Sequence, residues 1–248
     1  MGTGRAVAAG AAAGAPVVAP GAGADDEARA DVGADVGAAA GRAGAGAAKG
    51  GVVVIQEIFG LTPHIAEMTE RFAAAGYDSI APAMFARIDP EFFAEVNAEG
   101  IAKGRDAVLA TPWAQVVADT QAAIDALPKP VFVTGFCWGG AAAWAAAAQC
   151  ANVRAAACFY GRLIINLLDR PPRAPTMLHY GARDASIPHA EIEQVRAVAP
   201  LDTPLYIYDA GHGFCRKQSH DYNEAAASLA LQRTLDWFAR WRASGDGA

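Results

Sequence analysis

Four β-branched residues in succession, Val52-Val53-Val54-Ile55, point to a strand covered on both faces, because a strand with one wet face would alternate apolar and polar side chains. A second run of this kind is Val131-Phe132-Val133-Thr134. Asp78 to Ala81, Ala155 to Tyr160, Thr176 to Tyr180 and Leu205 to Tyr208 read as further strands. Between these runs the period changes. Thr62-Pro63 has the form of an N-cap and first helical position, Ile65, Met68 and Phe72 follow at helical spacing, and Gly76 stops the helix. Trp113, Val116, Val117, Thr120, Ile124 and Leu127 trace another amphipathic helix, closed by Pro130. An Ala-rich helix is expected from about Trp138 to Gln149, one near Glu191 to Val198, and a last one carrying Leu231, Leu235 and Phe238 inward. Strands alternating with helices predict an α/β fold: a mostly parallel sheet with helices on both faces. Ligands in such sheets bind beyond the carboxyl ends of the strands, so functional residues are sought just after the strand runs.

The first 50 residues differ sharply. Ala and Gly fill 32 of them, and there is no Leu, Ile, Phe, Tyr or Trp. Such a stretch buries too little apolar area to offset the entropy of ordering its backbone. Residues 1–48 are therefore expected to form a low-complexity arm, poorly ordered or loosely docked, ahead of one domain over 49–248. The arm's Ala-rich run is broken by Gly and Pro and lacks the Leu-rich centre of a secretory signal. The formal charge of −6 argues against a nucleic-acid-binding role. No run approaches the roughly 18–20 bulky apolar residues of a membrane span. Four cysteines are too few for a disulfide scaffold. The expectation is a cytoplasmic protein with no nucleic-acid or membrane partner, a monomer or weak homodimer.

Gly135-Phe136-Cys137-Trp138-Gly139-Gly140 follows a strand run directly and opens a helix. This is the G-x-S-x-G nucleophile elbow with Cys in place of Ser. Its glycines are needed because the nucleophile occupies a sharp turn whose neighbours crowd the backbone. The helix N-terminus beneath the sulfur favours a thiolate. A nucleophile needs a base and a group that orients it. Asp184, in Gly181-Ala182-Arg183-Asp184, and His212, in Gly211-His212-Gly213-Phe214, both lie just past strand runs, in the order nucleophile, acid, His. His64, His179, His189 and His220 lack that placement. Taken singly, Asp184 reads as a capping carboxylate and His212 as a turn histidine. His212, Cys215 and His220 fit a metal site only loosely, with no CxxC partner, and solvated loop residues are the better reading. A glutamine amidotransferase- or protease-like fold would place a Glu two residues after the His, where this chain has Phe214.

With Gln56-Glu57-Ile58-Phe59-Gly60 added to these three motifs, the chain from about Gly51 to Trp241 resembles the dienelactone hydrolase family of α/β-hydrolases. The resemblance implies a Cys137–Asp184–His212 triad. It implies that Glu57 keeps the resting thiol neutral and takes its proton when substrate arrives, limiting oxidation of a standing thiolate. It implies an oxyanion hole from the backbone N–H groups of Ile58 and Trp138, and a substrate carboxylate held by Arg87 and Arg216. The implied reaction is cofactor-free and metal-free hydrolysis of a small anionic lactone or ester. For dienelactone the product is maleylacetate, in bacterial breakdown of chlorinated aromatics. Alternatives are a broad-specificity carboxylesterase or thioesterase, or a scaffold kept for binding. The family normally has strand-forming segments before the strand equivalent to Val52–Ile55, and the Ala/Gly arm has no such residues.

Overall fold

The computed structural model describes residues 17–18, 38–44 and 47–244. The elements run β1 (Val17–Val18), β2 (Ala38–Gly41), β3 (Gly51–Ile55), α1 (Pro63–Ala74), β4 (Asp78–Pro82), α2 (Ala98–Ala110), α3 (Trp113–Asp125), β5 (Val131–Phe136), α4 (Trp138–Gln149), β6 (Val153–Phe159), a 3-10 helix (Arg162–Leu167), β7 (Thr176–Gly181), α5 (His189–Val198), β8 (Leu205–Tyr208) and α6 (Glu224–Ala243). One sheet has the order β1-β2-β4-β3-β5-β6-β7-β8. Every pair is parallel except β2 with β4.

The β-branched runs take the central places, where both faces are dry. All residues of β3 and β5 are buried. Helices α1 and α6 cover one face, with Phe238 of α6 stacked on Phe132 of β5 at 4.6 Å and against Phe72 of α1 at 5.9 Å. Helices α3 and α4 pack against each other and against the sheet. Helix α4 is almost wholly buried, from Trp138 to Ala148, and its run of alanines lets it lie close to the strands.

The expectation of an unstructured arm through residue 48 is corrected at Ala38–Gly41, which forms an antiparallel strand on β4 from Ala38↔Pro82 to Gly41↔Ser79. Sheet pairing uses backbone groups, so poor β-formers can do it where the slot is narrow. Here it is: a Cβ at Gly41 would stand 2.9 Å from Ser79 Oγ and 3.0 Å from the Ala73 Cβ of α1. Ser79 Oγ donates to the Thr69 carbonyl at 2.7 Å and lies 3.3 Å from that of Gly41, between strand and helix. The remainder of the expected arm lies outside the described residues, apart from β1, residues 42–44 and residues 47–48.

The chain leaves β3 through α1 for β4 on one side, whereas β5 lies on the other. The strand order therefore reverses between β3 and β5, and ligands of such sheets bind beyond the carboxyl ends of the strands at that point. Glu57 follows β3 and Cys137 follows β5, so both lie at that end of the sheet.

Candidate active site

Cys137 sits between β5 and α4 at φ +55°, ψ −117°, a conformation few residues with a side chain adopt. The turn is this sharp because its flanks are glycine. A Cβ at Gly135 would stand 2.0 Å from the Gly139 carbonyl oxygen, and one at Gly139 would stand 2.4 Å from those of Ile55 and Gln56. The Cys137 amide donates to Phe159 O at 3.0 Å, fixing the elbow to β6. Cys137 stays partly exposed as a residue, whereas Cys150, Cys158 and Cys215 are buried. Burial pushes the Cys150 thiol up to about 11 and that of Cys158 higher still.

Asp184 and His212 are brought together from the ends of β7 and β8. His212 Nδ1 donates to Asp184 Oδ2 at 2.6 Å. Asp184 Oδ1 accepts from the Ser186 amide (2.8 Å) and the Ser186 hydroxyl (2.6 Å). Burial raises the Asp184 carboxyl, but the bonds from His212 and Ser186 outweigh it and hold the group below its ordinary range. Burial alone would lower His212. The negative charge of a Cys137 thiolate, with hydrogen bonds to Asp184 and Cys137, pushes it up to about 10 instead. With Nδ1 engaged by Asp184, Nε2 is the nitrogen left for the sulfur.

Glu57 is fully buried and its Oε2 accepts from Arg216 Nη1 at 2.5 Å. Burial lowers the Arg216 guanidinium, and the Glu57 carboxylate more than restores it. The guanidinium also lies over the Phe59 ring, 5.1 Å from its centroid. Among the described residues Glu57 Oε1 and Arg216 Nε have no hydrogen-bond partner. Ile58 follows Glu57 in the turn after β3, and Trp138 opens α4, where a backbone N–H has no intrahelical acceptor. Trp138's side chain is buried against Phe85 (5.0 Å) and Trp113 (6.3 Å).

Arg87 is paired within the chain. Its Nη1 and Nη2 both donate to the carboxylate of Asp119 on α3, the second at 2.7 Å, and its side chain is 60% exposed. Both arginines expected to hold a substrate carboxylate are thus paired with carboxylates of the chain, Arg87 with Asp119 and Arg216 with Glu57. The other histidines have different surroundings, and the buried His64 Nε2 has no hydrogen-bond partner among the described residues. His179 is buried between Tyr208 Oη (2.8 Å) and Thr234 Oγ1 (3.1 Å). His220 is exposed beside Asp221, and His189 beside Glu193. His64, in the first turn of α1, is buried with its ring edge-on to Phe136 at 5.1 Å.

Three features escaped the sequence reading. Ser186 closes the Asp184–His212 pair, and its only signal is a hydroxyl two residues after the acid. Tyr160, at the end of β6, has φ +37°, is fully buried, and sets its ring edge-on to His212 at 5.1 Å. Helix α2 packs its Gly104 onto the Glu57–Ile58 turn, where a Cβ would stand 2.4 Å from Ile58 O. Two glycines four apart, Gly100 and Gly104, were that helix's signal.

The arrangement can generate a sulfur nucleophile and move protons on and off an imidazole held by a carboxylate. Known proteins resemble the chain as follows. The sequence profile of the dienelactone hydrolase family matches residues 37–241, which takes in β2 as well. A candidate carboxymethylenebutenolidase from Salmonella typhimurium is 34% identical over 211 residues, 77% of each chain. Another from Synechocystis is 35% identical over 208 residues, covering 75% of this chain and 84% of that one. The crystal structure of a candidate dienelactone hydrolase from Klebsiella pneumoniae superposes with a TM-score of 0.66 at 32% identity, over 76% of this chain and 86% of the other.

Proposed function

The chain belongs to the dienelactone hydrolase family of α/β-hydrolases, and on that premise we propose that it hydrolyses small lactones or esters through an acyl-enzyme on Cys137. The observation that carries this reading is the partly open Cys137 at the end of β5, facing a His212 held at 2.6 Å by Asp184.

The protons balance as follows. Glu57 takes the Cys137 proton as substrate enters, and the thiolate attacks the carbonyl carbon. The Ile58 and Trp138 amides receive the oxyanion; removing one such donor typically costs about 3–4 kcal/mol of transition-state stabilisation. In this scheme His212 enters the cycle as the imidazolium, which its bond to Asp184 favours, and gives its proton to the departing oxygen. Now neutral, it takes a proton from the water that attacks the thioester, and the departing thiolate regains the proton held by Glu57. Reactants and enzyme return to their starting protonation, and the product is a carboxylic acid. No metal or organic cofactor enters these steps.

Arg216 supports an anionic substrate: a carboxylate that draws it away from Glu57 would free Glu57 to accept the thiol proton. Arg87's engagement by Asp119 favours a second reading, a carboxylesterase of broader specificity that tolerates neutral esters. In both readings the protein is a cytoplasmic monomer or weak homodimer, with small-molecule substrates as its partners. The anionic reading suits breakdown of aromatic compounds by way of dienelactones and is carboxymethylenebutenolidase activity. A panel of carboxylated lactones, neutral lactones and aryl esters, assayed on wild type and Cys137→Ala, tests the proposal. Turnover retained by the variant rejects it, and the ratio of carboxylated to neutral turnover decides between the two readings.

A further inference from the structure

Ser186 belongs to no motif identified in the sequence, yet it touches both partners of the His212–Asp184 pair. Its amide and hydroxyl converge on the same oxygen, Asp184 Oδ1, at 2.8 and 2.6 Å. Its Oγ also lies 3.1 Å from His212 Nδ1. An ionised Asp184 can only accept, so the Ser186 hydroxyl must spend its one proton on it. The Oγ lone pairs are then turned toward His212, and the Nδ1 proton is shared between Asp184 Oδ2 at 2.6 Å and Ser186 Oγ at 3.1 Å. The three groups form a closed ring in which neither the carboxylate plane nor the imidazole can rotate without breaking two hydrogen bonds.

We propose that Ser186 is a positioning residue for hydrolysis: its hydroxyl locks the Asp184 carboxylate with Oδ2 toward His212, and so keeps the proton on Nδ1 and Nε2 aimed at Cys137. The inference rests on the triad reading and deepens it. Ser186 acts through Asp184 and His212 rather than on substrate. It belongs to the same short turn as Asp184, at the end of β7, so one segment supplies both the acid and the group that fixes it. The backbone amide alone cannot do this, because only the hydroxyl reaches His212 Nδ1, and without it the imidazole is held by one hydrogen bond instead of two.

The test compares Ser186→Ala, which removes the hydroxyl, with Ser186→Thr, which keeps it. The alanine variant should lose roughly tenfold in kcat with KM little changed, the scale of losing one hydrogen bond to a charged group. It should also lose the downfield proton resonance of the Asp184–His212 hydrogen bond, while its circular dichroism stays that of wild type. The threonine variant should recover both kcat and the resonance. Wild-type kcat and resonance in Ser186→Ala overturn the proposal, as does an equal loss in both variants, which would make the position one of packing alone. Asp184→Asn is the control. If that variant is fully active, the triad reading itself fails and this proposal with it. A dead Asp184→Asn beside a fully active Ser186→Ala rejects Ser186 only.

Discussion

Replacing Arg216 with methionine should damage the protein in a way that replacing both members of its pair does not. Arg216 is 7% exposed and Glu57 0%, and their contact is 2.5 Å, so water screens the pair little. Removing the cation leaves a carboxylate buried with no counter-charge. The expected cost of breaking a buried pair from one side is about 3–5 kcal/mol. For a chain of this size that corresponds to a fall in Tm of roughly 6–20 °C, at about 2–4 °C per kcal/mol. The double variant Arg216→Met with Glu57→Gln has no buried charge to strand and should recover most of the loss, since replacing a whole buried pair is often neutral. It should still be a poor enzyme, having neither the proton acceptor nor the cation. Urea unfolding of the wild type, each single variant and the double variant closes the cycle. An Arg216→Met variant within about 1 kcal/mol of wild type would refute the reasoning, because it would mean that the pair is hydrated.

Gly139→Ala should cost about 3 kcal/mol or more and most of the activity, since its Cβ would stand 2.4 Å from two carbonyl oxygens of fixed backbone; a folded, active variant on thermal melting and assay would contradict that geometry. His179 is pushed down to about 3 by burial, so it is neutral in the fold while the unfolded chain takes up a proton near 6.5. Stability should therefore fall from about pH 6.5 toward 3 with a slope approaching ~1.4 kcal/mol per pH unit, and His179→Gln should flatten that slope in urea titrations. Arg87→Ala should change the ratio of turnover on carboxylated and neutral esters by less than about twofold, because its fork holds Asp119 and is mostly exposed; a larger drop on carboxylated substrates would return Arg87 to the site.

The elements legible in the sequence were those whose burial needs bulky side chains. Val52–Ile55 and Val131–Thr134 announced the central strands because only β-branched and aromatic residues fill a sheet covered on both faces. Cys137 was legible because its turn forbids side chains at Gly135 and Gly139, and that demand shows in the sequence. The elements that were missed bury small residues instead. Strand β2 is Ala-Ala-Ala-Gly because α1 leaves no room for more, and helix α2 turns Gly100, Gly104 and Ala107 inward so that it can close on Ile58. Neither has an apolar period to read. Arg87 shows the complementary limit. The family resemblance suggested a substrate clamp, and its partner Asp119 lies 32 residues away on α3, so only the folded chain brings the two together. Ser186 was hidden for a similar reason, since a hydroxyl two residues after an acid is an ordinary turn until His212 is placed beside it.

The account stands or falls on the sulfur of Cys137 carrying the acyl group. Rapid quenching during turnover of an aryl ester, followed by proteolysis and mass spectrometry, should find the acyl mass on the peptide containing Cys137 and on no peptide containing Cys150, Cys158 or Cys215. Steady turnover with Cys137 unmodified at every quench time, and preserved in Cys137→Ala, would contradict it.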